Sequence, residues 1–109
     1  MQLLYVAGPM SGYPAYNYPA FESAAAQLRR MGYAVLSPTE NKPDNPTWDN
    51  YMRASIAQVI AADGIAVLDN WQMSAGAALE VHIAHALRVP VLPLREWVNR
   101  APDKEVQKA

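Results

Sequence analysis

Four short, largely apolar runs constrain this chain most: residues 3–7 (LLYVA), 33–37 (YAVLS), 65–68 (IAVL) and 90–94 (PVLPL). A strand covered on one face alternates apolar and polar residues, whereas a continuous run suits a strand buried on both faces, as in parallel sheets. Parallel neighbours need crossover connections, and the stretches between the runs have helical spacing. Phe21, Ala24, Ala25, Leu28 and Met31 mark a first helix. Pro19 suits its first turn, Asn17 or Tyr18 its cap and Gly32 its termination. Tyr51, Met52, Ile56, Val59 and Ile60 form the expected buried stripe of a second helix, from Thr47 or Trp48 to about Ala62. A third helix runs from Ser74 to about Leu87. Pro90 and Pro93 argue that the last strand lies at a sheet edge. Arg95 to Arg100 adds a short helix, and a polar, frayed tail is expected from about residue 101.

Strand and helix thus alternate along the whole chain. The expected architecture is α/β: a small parallel sheet of about four to five strands, helices on both faces, and right-handed crossovers. At 109 residues the chain suits a single domain spanning 1–109, able to bury roughly two-thirds of its unfolded surface. In open sheets of this kind, ligands bind beyond the carboxyl ends of the strands, where strand order reverses. Three segments would surround that crevice: the loop after the first strand, the loop after the second, and residues 69–80.

Composition narrows the partners. Nine basic and ten acidic residues give a net charge of −1, which provides no field for a nucleic-acid polymer. No cysteine is present, so disulfides, thiolate nucleophiles and cysteine metal sites fall away. His82 and His85 lack companions for a metal set and read as helix-surface or subunit-contact residues, so neither metal nor organic cofactor is expected. The apolar start lacks a basic leader, and no run approaches the ~20 residues that span a bilayer, so no membrane partner and a cytoplasmic location are expected.

Glu80 is the residue that fits its surroundings least. It falls in the second turn of the third helix among Ala77, Ala78, Leu79, Val81, Ile83 and Ala84. The helix dipole favours a negative charge there, while burial would raise the carboxyl pKa. An ionised glutamate in a dry crevice can attack a sugar anomeric carbon; a surface glutamate aiding a helix start is the plainer alternative. Tyr5, on the first strand, either orients Glu80 or simply fills the core. The loop holding Gly8, Met10, Ser11 and Gly12 can turn amides toward a ligand, or can be only a tight turn. Ser74 suits a helix N-cap, and Gly76 allows close approach to the helix end. Asp69, at the end of the third strand, is expected to face the crevice and bind a sugar hydroxyl or a base, whereas Asp63 is expected to be structural. Asn17, Trp48 and Trp71 are candidates for a base pocket. The third helix is apolar on more than one side, which suggests a second burial against another subunit.

Residues 4–12 (LYVAGPMSG), the 63–68 strand and the Ser74-x-Gly76-x-x-x-Glu80 spacing together resemble the nucleoside 2-deoxyribosyltransferase superfamily, over roughly residues 3–94. Within it the chain looks most like a short branch common in bacteriophage and prophage genomes. The resemblance implies a flavodoxin-like Rossmannoid fold, assembly as a homodimer or higher homo-oligomer, and cleavage of the N-glycosidic bond of a nucleoside or nucleoside 5′-monophosphate. It implies Glu80 as the nucleophile forming a glycosyl ester, Tyr5 as its positioner, and the first loop with Ser74 at the 5′ end of the ligand. A non-catalytic nucleotide-binding module of the same fold is the alternative. Three departures from the family pattern stand out. Ser55 occupies the place of a base-contacting aspartate, so either Asp69, Asp49 or another group compensates or activity is reduced. Ser11 and Tyr13 are neutral where the monophosphate hydrolases carry arginine, and Glu80-Val81-His82 replaces the usual Glu-Leu-Gly, with Ala78 in place of a glycine.

Overall fold

A computed structural model describes residues 2–100 of the chain; the polar tail expected from residue 101 lies outside the described residues. Strands β1 (Leu3–Ala7), β2 (Ala34–Leu36), β3 (Gly64–Val67) and β4 (Val91–Pro93) alternate with helices α1 (Tyr18–Arg30), α2 (Trp48–Ala61), α3 (Ala75–Ala86) and α4 (Leu94–Arg100). The four strands form one parallel sheet in the order β2-β1-β3-β4. The fold is therefore α/β, and β4 takes the edge that its prolines require.

The continuous apolar runs of β1 and β3 are explained by what covers each face. Leu4, Val6, Ala66 and Leu68 pack with Phe21, Ala24, Ala25 and Leu28 of α1 and with Trp97 of α4. Tyr5, Ala7, Ile65 and Val67 face the other way and meet Val59 of α2 with Val81 and Ala84 of α3. Successive side chains of a strand point to opposite faces, so a strand with helices on both sides loses its polar positions. β1 lies between β2 and β3, and the chain leaves β1 and β3 for helices on opposite faces. Strand order thus reverses at the β1/β3 boundary, which fixes where a crevice opens.

Local signals set the helix ends. Met31 and Gly32 terminate α1, Gly32 at a φ of 99°, which a side chain would oppose. Thr47 caps α2 by accepting from the Asn50 amide at 3.2 Å. The Ser74 hydroxyl caps α3 by accepting from the Ala77 amide at 3.2 Å. Ser74→Ala should therefore lower stability by about 1 kcal/mol, measured by chemical denaturation; an unchanged midpoint would mean water replaces the cap without loss.

Two sequence expectations need correction. In α2, Tyr51 and Ile60 were expected in the buried stripe, but Ile60 is 61% exposed and Tyr51 37%. The buried line passes instead through Ser55 and Val59, and Val59 and Ala62 pack on the cluster under the sheet. Asn17 precedes α1 as expected but caps nothing with its side chain; its amide donates to the Pro9 carbonyl at 2.9 Å and ties the first loop together. Asp63 is structural, accepting from the Leu3 amide at 2.8 Å.

Candidate active site

A pocket of about 600 Å³ opens at the carboxyl end of the sheet, between the first loop, α2 and the start of α3. Glu80 is 5% exposed and Tyr5 wholly buried, yet both line this pocket. The Tyr5 hydroxyl donates to Glu80 Oε2 at 2.7 Å, a charge-assisted distance when the carboxyl is ionised. Ser55, 4% exposed on α2, lines the same pocket wall. β1 and α3 thus bring two bonded polar groups together, and α2 adds a third to the wall.

Burial dominates the electrostatics. Removal from water pushes the Glu80 carboxyl up to about 7, against the opposing pull of hydrogen bonds from Tyr5 and Ser55. The same burial, reinforced by the neighbouring Glu80 charge, raises the Tyr5 hydroxyl well above the ordinary phenol range. Tyr5 is therefore a permanent donor at neutral pH, and Glu80 is the group poised to change state. Among the described residues lining the pocket, Glu80 is the single carboxylate.

Most of the expected residues gather here. Gly8, Met10 and Ser11 line the pocket from the first loop, and Ser74 and Gly76 from the start of α3. Gly8 is required by packing, since a Cβ there would lie 2.8 Å from that of Leu68. Trp48 lines the pocket mouth and is 61% exposed.

Asp69, Gly12, Asn17 and Trp71 stand outside the pocket lining. Asp69 is exposed, next to a turn in which Asn70 takes a φ of 66°. Trp71 packs its ring on the cluster beneath α2 and α3. Gly12 supplies a left-handed turn, with a φ of 84° and open space around it. Asp49, in the first turn of α2, is exposed and likewise outside the lining.

The expected site residues did not include Tyr16 on the first loop, Tyr18 at the start of α1, Tyr51 and Met52 on α2, or Met73 before α3, all of which line the pocket; Tyr13 and Ser55, noted as departures from the family pattern, line it too. Trp48, Met52, Ser55 and Val59 recur at helical spacing, so one line runs from pocket mouth to core. Tyr13 and Tyr16 on the first loop had no such signal, because Ala15, Tyr16 and Asn17 adopt left-handed backbone angles that no periodicity announces. His82 and His85 are exposed, and no group of three or more metal-ligating side chains occurs among the described residues.

The fold is a Rossmann-like α/β fold, with a four-stranded parallel sheet flanked by helices, and solved deoxyribosyltransferases share it. The chain is similar in structure to 2-deoxyribosyltransferase from Bacillus psychrosaccharolyticus, with a TM-score of 0.65 and 23% identity over 82% of this chain and 69% of that one. It is similar to the 2-desoxiribosyltransferase from Leishmania mexicana, with a TM-score of 0.66 and 23% identity over 85% of this chain and 63% of that one. A conserved protein from Enterococcus faecalis V583 superposes with a TM-score of 0.65 and 27% identity, over 84% and 61% of the two chains. The chain thus spans less than two-thirds of the length of two of these three structures. No curated protein matches it in sequence. Residues 2–93 match the family described as "Domain of unknown function (DUF4406)", and the chain belongs to that family.

Proposed function

We propose that this protein cleaves or transfers at the N-glycosidic bond of a nucleoside or nucleoside 5′-monophosphate, with Glu80 as nucleophile. The observation that carries the reading is a buried carboxylate held by a buried tyrosine hydroxyl at 2.7 Å within a pocket large enough for a nucleoside. An ionised Glu80 oxygen attacks C1′, and the C1′–N bond breaks. Its electron pair leaves with the base, which takes a proton from solvent. Water or the nitrogen of a second base then displaces the glutamate from C1′ and restores the carboxylate. Tyr16, Trp48 and Tyr51 offer flat rings for a base to lie against. Ser11, Ser74 and the helix start near Gly76 offer donors for the sugar's 5′ end.

The nucleophile must be ionised. With the Glu80 carboxyl at about 7, kcat/KM should rise tenfold per pH unit below that value and level off above it. A profile flat from pH 5 to 8 would remove Glu80 from the role. The assay is chromatography of ribo- and deoxynucleosides and their 5′-monophosphates after incubation with the protein, with released base as the readout.

A second reading has its own observation. Glu80 is the single carboxylate among the described lining residues, and Ser55 cannot protonate a departing base as a carboxylic acid could. A non-catalytic nucleotide-binding module would bind without turnover and gain thermal stability with nucleotide. The structural similarity is one of fold and gives no support to a bacteriophage branch. We also propose a homo-oligomer that covers the α3 face carrying Leu79 and Leu87, which are 40% and 52% exposed. A cytoplasmic location would suit a nucleoside substrate, and no helix among the described residues is long and apolar enough to cross a membrane.

A further inference from the structure

We infer that the pocket selects a nucleoside whose base carries a fixed positive charge, a pyridinium or an N7-alkylated purinium, laid on the aromatic mouth with the Glu80 carboxylate at C1′. This rests on the reading of the pocket as a nucleoside site, and names the class of base it takes.

Charge comes first. Among the described residues lining the pocket, Glu80 carries the one formal charge, and no lysine, arginine or histidine joins it. At 5% exposure that carboxylate is largely cut off from water, so a cationic ligand meets no like charge and supplies the missing counter-ion. The surface of the wall points the same way. Tyr13, Tyr16, Trp48 and Tyr51 line the pocket and are exposed, as is Met73 at 84%. A cluster of large apolar side chains open to solvent in one cleft marks a binding surface, and a flat ring would cover it. The faces of tyrosine and tryptophan rings are electron-rich, so a cationic ring gains more from them than a neutral one.

The departure of the base carries the argument further. No second carboxylate lines the pocket among the described residues, and the Tyr5 hydroxyl is committed to Glu80 at 2.7 Å. The other side-chain O–H groups there belong to tyrosines and serines, which are poor acids as a class. A neutral base leaves with an extra electron pair and needs a proton, which this lining is badly equipped to give. A cationic base needs none. A Glu80 oxygen bonds to C1′, the C1′–N bond breaks, and its electron pair cancels the charge of the ring, which departs neutral.

The probes are nicotinamide riboside, which is a pyridinium nucleoside, adenosine, the 2′-deoxy forms of both, and benzamide riboside, the neutral carbon-linked isostere of the first. At pH 8, above the Glu80 midpoint of about 7, kcat/KM for base release should be at least about 100-fold higher for the pyridinium nucleosides than for the adenine ones. Equal values would mean that the neutral base receives its proton in the site, and would overturn the inference. Where no nucleoside releases base, binding decides. Isothermal titration should then show nicotinamide riboside bound at least about fivefold tighter than benzamide riboside, and equal affinities would overturn the inference. In either readout the preference should shrink at least about threefold in Trp48→Leu/Tyr16→Leu, both exposed positions; an unchanged preference would remove the aromatic cradle. Preferential binding of the cation without release would uphold the selection and sink the nucleophile reading. Equal release from both classes, abolished in Glu80→Gln, would do the opposite.

Discussion

Glu80→Gln is expected to lose base release by on the order of a thousandfold or more while making the folded protein more stable above neutral pH. Loss of activity follows because an amide oxygen is too poor a nucleophile to form the glycosyl ester. The gain in stability follows from linkage. In the folded chain the Glu80 carboxyl titrates at about 7, against an ordinary 4.5, so folding strengthens its hold on the proton. The parent is then most stable, as far as this group is concerned, below pH 4.5, and that contribution is lost as pH rises through 7. The full difference is on the order of 3 kcal/mol, reached by pH 8 to 9. Glutamine carries no charge to desolvate, and its oxygen can still accept from the Tyr5 hydroxyl. The variant should match the parent near pH 5 and exceed it at pH 8.5 in urea denaturation. Parallel stability profiles would mean that Glu80 is not the source of the slope. A stabilised variant beside a parent that releases no base would favour the binding module.

Trading stability for a poised carboxylate is a pattern of functional sites, and it bears on how much the sequence could reveal. The strands were legible because burial on both faces erases alternation, as in 3–7 and 65–68. Glu80 was legible for a related reason: a charge among alanines contradicts its neighbours, and contradiction is a strong local signal. Tyr5 was ambiguous, because a buried tyrosine on a central strand reads as core until its hydroxyl is seen to end on Glu80. Asp69 lies just past the carboxyl end of β3, as expected, but outside the pocket lining; the left-handed turn at Asn70 that follows it is a local backbone feature that position in the chain does not reveal. Tyr51 was assigned to the core because pocket walls and cores share the same apolar periodicity. Spacing alone does not separate an apolar face against a sheet from one against an opening. α4 was expected only as a short helix, without Trp97 singled out, because seven residues hold too few turns to display a face.

That helix carries the largest expected loss of stability. Trp97→Ala should cost about 3–5 kcal/mol, the usual range for emptying a buried aromatic position. Trp97 is 2% exposed and packs beneath β1 and β3 with Leu4, Phe21 and Ala66. Its indole nitrogen donates to the Ile65 carbonyl at 2.8 Å, and its ring meets Tyr33 edge-on at 6.0 Å between centroids. The Tyr33 hydroxyl in turn donates to the Trp97 carbonyl at 2.7 Å, so one residue ties α4 to β3 and to the start of β2. Against a domain stability of roughly 5–15 kcal/mol, such a loss leaves little margin. Trp97→Phe keeps much of the ring but loses the indole bond to the Ile65 carbonyl, and should cost about 1–3 kcal/mol.

Gly64 supplies an independent check. A Cβ at that position would lie 2.5 Å from Trp97 Cζ2, so Gly64→Ala alone must displace the indole. Removing the ring opens the space that the new methyl needs. The double variant Gly64→Ala/Trp97→Ala should therefore lose at least 1 kcal/mol less than the two single losses added together. Additive losses would mean that the indole does not rest on Gly64. Because Trp97 and Tyr5 belong to opposite faces of the sheet, kcat/KM of the folded Trp97→Phe protein should stay within about twofold of the parent.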